Sequence, residues 1–133
     1  MSKSEKKEYE IWLNKALDDI LWTESNLKEK IYYGACFTAQ QSVEKSLKAY
    51  LLYKQGRFDK IHDLVELIDN CLKHDKNFRS YRKRIAKLSF YYIQSRYPDI
   101  SEIDRFTKEE AEEALEIAKT VVDFVSRKIK RPA

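Results

Sequence analysis

The stretch Cys36–Leu51 reads CFTAQQSVEKSLKAYL, and its pattern sets the fold class. Together with Ala35, the residues Ala39, Val43, Leu47 and Leu51 recur every four positions, which lines them along one face of an α-helix. Glu44 and Lys48 stand at i, i+4 on the same helix and can pair. The two glycines of the chain bracket this segment. Gly34 interrupts the chain ahead of it, and Gly56 suits the left-handed residue that follows a helix end.

The same periodicity continues on both sides. Upstream, Ser2-x-x-Glu5 can form a capping box, and Tyr9, Leu13, Ala16, Leu17, Ile20, Leu21 and Leu27 recur at helical spacing with Trp12 beside them. This predicts a first helix over Glu5 to Glu29. Downstream, Leu64, Leu67, Ile68, Cys71 and Leu72 give a short third helix that closes in the polar stretch Lys73 to Asn77. Tyr81, Ile85, Leu88 and Tyr92 carry a fourth, which must stop before Pro98 because a residue preceding proline disfavours the α region. Thr107-x-x-Glu110 is a second capping box. Behind it Ala111, Leu115, Ala118, Val122, Val125 and Ile129 form a seam narrow enough to lie between two neighbouring helices. The expected fold is all-α: an antiparallel up-and-down four-helix bundle with one additional short helix, as a single domain over residues 1–133.

Composition excludes the main competitors. Two glycines and two prolines in 133 residues cannot supply the turns of a many-stranded β fold or a glycine-rich phosphate loop. With 36% charged and 43% hydrophobic residues, the chain has enough apolar material to fold and a net charge of only +4, which permits nucleic acid without demanding it. Cys36 and Cys71 are too few for a disulfide scaffold and fit a reduced cytosolic setting. The start MSKSEKKEYEIW lacks the apolar core of a signal peptide, and no apolar run nears the roughly 20 residues of a membrane span. A soluble cytoplasmic protein without membrane attachment is expected.

Catalytic motifs are scarce. GxSxG, HExxH, a Walker loop and the Glu-x-x-His pair of di-iron bundles are all missing. Cys71-x-x-His74 has metal-like spacing, but two histidines and one distant second cysteine can hardly complete a zinc site. Cys71 is therefore read as core and His74 as helix-end surface, with no metal and no cofactor expected. On the fourth helix, Arg79, Arg82, Lys83 and Lys87 fall opposite the apolar line, yet Phe90 projects beside Lys83 and Lys87, and Tyr91 lies between the faces. A helix apolar nearly all round in so small a protein marks an interface, so Phe90 and Tyr91 are expected at a dimer or partner contact. Base stacking beside the basic strip is the alternative use.

Taken together, AQQSVEKSLKAYL, HDLVEL over residues 62–67 and RYPD over residues 96–99, with Trp12 and Ala16 in the first helix, resemble the HEPN domain. The resemblance spans nearly the whole chain. It implies a helical bundle that dimerises and is often encoded beside a minimal nucleotidyltransferase, with which it forms a toxin–antitoxin-like pair. Many HEPN proteins are also metal-independent ribonucleases. Their signature is an arginine followed after four to six residues by a histidine, and the RNA 2′-hydroxyl is the nucleophile. Arg96 stands where that arginine is expected, but the following residues YPDISEIDRF contain no histidine. Arg57-Phe-Asp-Lys-Ile-His62 matches in form, yet it lies in the loop before the third helix and is read as coincidental.

The leading expectation is a dimeric nucleotide- or partner-binding component paired with a minimal nucleotidyltransferase. One alternative is a metal-independent ribonuclease drawing on Arg96, His62 and Arg57, and another is a purely structural dimerisation module. Candidate contacts are Gln40, Gln41 and Lys45 as a polar row beside Glu44, His62 and Asp63 at the start of the third helix, and Arg96 with Tyr97 as an arginine fork beside an aromatic. Each also has a structural use: bundle-edge polarity for the glutamines, helix initiation for His62 and Asp63, and a salt bridge to Asp99 or Asp104 for Arg96.

Overall fold

The computed structural model describes the backbone of residues 3–58, 60–96 and 106–130, and the side chains of residues 8–58, 60–90 and 106–129. Among these, α1 (Lys3–Lys28), α2 (Tyr32–Gln55), α3 (Leu64–Leu72), α4 (Arg82–Arg96) and α5 (Lys108–Lys130) are α-helices, and a 3₁₀ turn (Lys76–Tyr81) leads into α4. The four long helices form the expected up-and-down bundle, with α3 as the additional short element.

Helix α2 is the axis of the molecule. Fifteen of its 24 residues are buried, more than one helix face can supply, so it must have neighbours on several sides. It packs against α1, α3, α4 and α5. The row Ala35, Ala39, Val43, Leu47 and Leu51, spaced every four positions, is fully inside. Small residues on its flanks let neighbouring backbones approach. Ser42 and Ser46 satisfy their hydroxyls within the helix, donating to Ala39 O (2.7 Å) and Val43 O (2.9 Å).

The ends follow local chemistry. Gly56 sits at φ 73° after α2 and donates its N–H to Leu52 O. Asp63 caps α3 by accepting from Val65 N at 2.9 Å. The Thr107 box forms in both directions, Glu110 N donating to Thr107 Oγ1 (3.0 Å) and Thr107 N to Glu110 Oε1 (2.9 Å). The Ser2 end of the first predicted box lies outside the described residues.

Three features differ from the periodicity reading. Leu17 and Leu21 point outward, 39% and 64% exposed, while Leu13, Ala16 and Ile20 carry the inner face of α1. Gly34 does not interrupt the chain: α2 begins at Tyr32, and the reversal is made by Lys30 at φ 63°. Gly34 is needed for space, because a Cβ there would stand 3.0 Å from Ile31 Cγ2 and 3.3 Å from Asn26 Cγ. Finally, the polar stretch after α3 continues into a 3₁₀ turn that buries Phe78 completely against Tyr50 and Phe124, with ring centroids 4.7 and 4.9 Å apart.

Candidate functional site

The most concentrated polar chemistry lies along one edge of α2, where Gln40, Glu44 and Lys48 follow each other at single-turn spacing. All three are buried. Lys48 Nζ donates to Glu44 Oε2 at 2.9 Å, and Gln40 Nε2 donates to Glu44 Oε1 at 3.3 Å. Gln41 Nε2 donates in turn to Gln40 Oε1 at 2.7 Å. The loop after α2 returns over this edge and places His62 Nδ1 3.1 Å from Glu44 Oε2. A carboxylate offers only lone pairs, so this contact selects the Nδ1–H form of the imidazole. The His62 side chain itself is 70% exposed.

Two aromatic rings close the pocket around the ammonium. Lys48 Nζ lies 5.7 Å from the Trp12 ring centroid and 5.2 Å from that of Phe58, and these rings meet edge to face at 5.2 Å. The buried lysine thus has a carboxylate on one side and π faces on the other, which offsets its loss of hydration. One turn back, Lys45 Nζ donates to Asp19 Oδ2 at 2.7 Å, and Thr23 shares a 2.7 Å hydrogen bond with Thr38. A polar seam therefore runs along the α1–α2 contact.

These positions revise the polar row read from the sequence. Gln40 has no exposed surface, and Lys45 is held by Asp19. The Gln40 amide is already engaged, donating to Glu44 Oε1 and accepting from Gln41 Nε2. His62 and Glu44 are brought together across 18 positions of sequence, which spacing could not reveal. Asp63 acts as the α3 cap. Arg57 is exposed, Arg96 ends α4, and Phe90 is 57% exposed on α4. The side chains of Arg96 and Tyr91, and the whole of Tyr97, lie outside the described residues.

A second feature escaped the sequence reading. Lys83, Arg84 and Lys87 of α4 face Glu113, Glu116, Ile117 and Thr120 of α5 across a groove of about 320 Å³. Lys87 Nζ and Glu113 Oε1 close it at 2.7 Å. Arg84, which projects into this groove, was hidden in the sequence by the run of charges around it.

The thiols take no part in exposed chemistry. Burial, followed by the nearby Glu110 carboxylate, pushes the Cys36 thiol up to about 12, and burial alone raises Cys71. His74 lies on the surface, its Nε2 2.9 Å from Gln55 Oε1. Among the described residues no group of three or more histidine, cysteine or acidic side chains could hold a metal ion, and no helix is long and apolar enough to cross a membrane.

Comparison with known proteins agrees with this architecture. A protein of Methanocaldococcus jannaschii named "Putative toxin MJ1304" is 25% identical over 128 residues, covering 86% of this chain and 84% of the relative. The crystal structure of TT1696 from Thermus thermophilus superposes with a TM-score of 0.80 at 29% identity, covering 90% of this chain and 97% of that one. ST0689, described as an archaeal HEPN homologue, superposes with a TM-score of 0.76 at 26% identity, covering 92% and 98%. The family model of the HEPN domain matches residues 9–129, all five helices contribute to that span, and the chain belongs to the HEPN domain family.

Proposed function

We propose that this HEPN protein is a toxin-type binding component that works as a homodimer, pairs with a minimal nucleotidyltransferase and does not cleave RNA itself. One observation carries the non-nuclease part. Both histidines of the chain are engaged on the α2 side of the bundle, His62 with Glu44 and His74 with Gln55, and none follows Arg96 in Tyr97–Phe106. An arginine–histidine cleft on the late helices would lack its proton-transfer group. The toxin-type name of the archaeal relative supports the wider role. On this reading, Phe90 and the cations of α4 face the partner or its nucleotide, and Arg96 and Tyr97 are further candidate contacts.

Affinity capture of the full chain with the nucleotidyltransferase encoded beside it tests the pairing, and Phe90→Glu should weaken the complex. Incubation with RNA in chelator tests the rest. No cleavage is expected. Metal-independent cleavage that Arg96→Ala abolishes, with the helical spectrum intact, would overturn the reading.

The Glu44–His62 contact favours a second reading. A carboxylate that orients an exposed imidazole is an arrangement suited to proton transfer. A ribonuclease built on His62, with Arg57 or Arg96 holding phosphate, should lose its activity in His62→Ala. Failure to bind nucleotide, RNA or the neighbouring gene product would leave a structural dimerisation module.

A further inference from the structure

The two walls of the α4–α5 groove carry opposite charges. Lys83, Arg84 and Lys87 line the α4 side, Glu113 and Glu116 the α5 side, and the buried Ile117 and half-buried Thr120 of α5 complete the lining. Lys87 Nζ reaches Glu113 Oε1 at 2.7 Å. Lys83, Arg84 and Glu116, by contrast, make no ion pair among the described residues. Because α4 and α5 are neighbouring antiparallel helices of the bundle, three residues back from Lys87 and three residues on from Glu113 lead to the same height. Arg84 and Glu116 therefore stand across the groove from one another, each about 4.5 Å along its helix from the closing pair. The result is a gap with a cation on one wall and an anion on the other.

Donors and acceptors around the gap decide what fits it. The Arg84 guanidinium presents a fork of N–H donors and Lys83 adds an ammonium, a set suited to a carboxylate. The α5 wall offers the converse. Glu116 has only lone pairs, and Thr120 donates its hydroxyl proton to Glu116 O at 2.8 Å, so Thr120 Oγ1 also has only lone pairs left to offer. These two residues stand at i, i+4 on one side of α5 and together suit an ammonium. A ligand that is only anionic meets repulsion from the glutamates, and a polyamine meets it from the cations of α4. A volume of about 320 Å³ holds roughly ten water-sized groups at ~30 Å³ each, which is the size of a small molecule, and Ile117 supplies an apolar contact for the part that is not charged.

We propose that the α4–α5 groove binds a free α-amino acid, with its carboxylate held by Arg84 and Lys83, its ammonium by Glu116 and Thr120, and an apolar side chain laid against Ile117. In a free amino acid the two charges flank a single carbon. In a peptide they stand at opposite ends of the chain, so the facing walls select the monomer. The site goes beyond the pairing with a nucleotidyltransferase and does not depend on it.

Titration of the full chain with L-leucine, followed by two-dimensional amide NMR spectra, tests the site. The amides of Ile117 and Thr120 should shift and saturate. Isocaproate, which is leucine without its ammonium, and isoamylamine, which is leucine without its carboxylate, should each bind about tenfold more weakly or worse, because each lacks one set of charge-assisted contacts. Leucine should lose about tenfold or more in affinity for Arg84→Gln and for Glu116→Gln by the same reasoning. Both side chains are exposed and make no ion pair, so the helical spectrum and urea midpoint of these variants should match the wild type, which separates lost binding from lost folding. The absence of a saturable shift at the solubility limit of leucine, equal binding of isocaproate, or unchanged affinity in both variants would overturn the proposal. AMP shifting the same amides at lower concentration than leucine would also overturn it, and would return these cations to the nucleotide reading.

Discussion

Replacing Lys48 with methionine would strand the Glu44 carboxylate in the wall of the bundle. The two charges meet at 2.9 Å with side chains only 5% and 8% exposed. An exposed i, i+4 pair contributes roughly 0.3–0.5 kcal/mol, whereas removing one member of a buried pair costs about 3–5 kcal/mol because the other charge is left uncompensated. Here Glu44 keeps the Gln40 amide at 3.3 Å and His62 Nδ1 at 3.1 Å. These remaining donors place the expected loss for Lys48→Met near the lower bound, about 3 kcal/mol at about pH 8. Combining Lys48→Met with Glu44→Gln removes both charges and should return stability to within about 1 kcal/mol of the wild type. Urea unfolding followed by far-UV circular dichroism compares both variants with the wild type. A Lys48→Met loss below about 0.5 kcal/mol, or a double variant no better than the single, would refute the reasoning, since the pair would then behave as a surface bridge.

Other consequences are simpler to check. Phe78→Ala should cost about 3–5 kcal/mol in the same unfolding assay, because the ring is fully buried between Tyr50 and Phe124; a loss under about 1 kcal/mol would mean the 3₁₀ turn is not anchored there. Lys30→Gly should stabilise by about 0.5–1 kcal/mol, since φ 63° strains a residue with a Cβ. Destabilisation would instead assign a role to the lysine side chain. Cys36 and Cys71 should resist iodoacetamide in the native protein and react once urea unfolds it. Their raised native values also predict a pH effect: above about 9 the unfolded thiols lose protons that the folded ones keep, so stability falls as pH rises. Replacing both cysteines with alanine should flatten that decline, as read from urea midpoints across the alkaline range.

Much of the bundle was legible because its signals are local. The apolar repeat of α2, the Thr107–Glu110 box, Gly56 as a helix stop and Asp63 as a helix start each depend on residues within a turn or two of each other. Leu17 and Leu21 show where such reading stops. They share the helical spacing of Leu13 and Ile20, and only the positions of α2 and α5 determine which leucines turn inward. Phe78 was hidden for a related reason, as a lone aromatic in a polar segment carries no period. At the candidate site, Glu44 and Lys48 could be paired from their spacing, but their burial could not be read.

By itself the sequence determined an all-helical bundle and the positions of its helices, among them the one over Cys36–Leu51. Its quoted motifs also carried the likeness to the HEPN family, which the match over residues 9–129 establishes. The tertiary structure alone decided that Gln40, Glu44 and Lys48 face inward, that Trp12 and Phe58 box the ammonium, and that His62 returns to Glu44. It also left Ile11, Leu21 and Trp22 outside. The physical reason is that periodicity orients residues relative to their own helix axis, whereas burial depends on where the other helices lie, and those contacts join residues far apart in the chain.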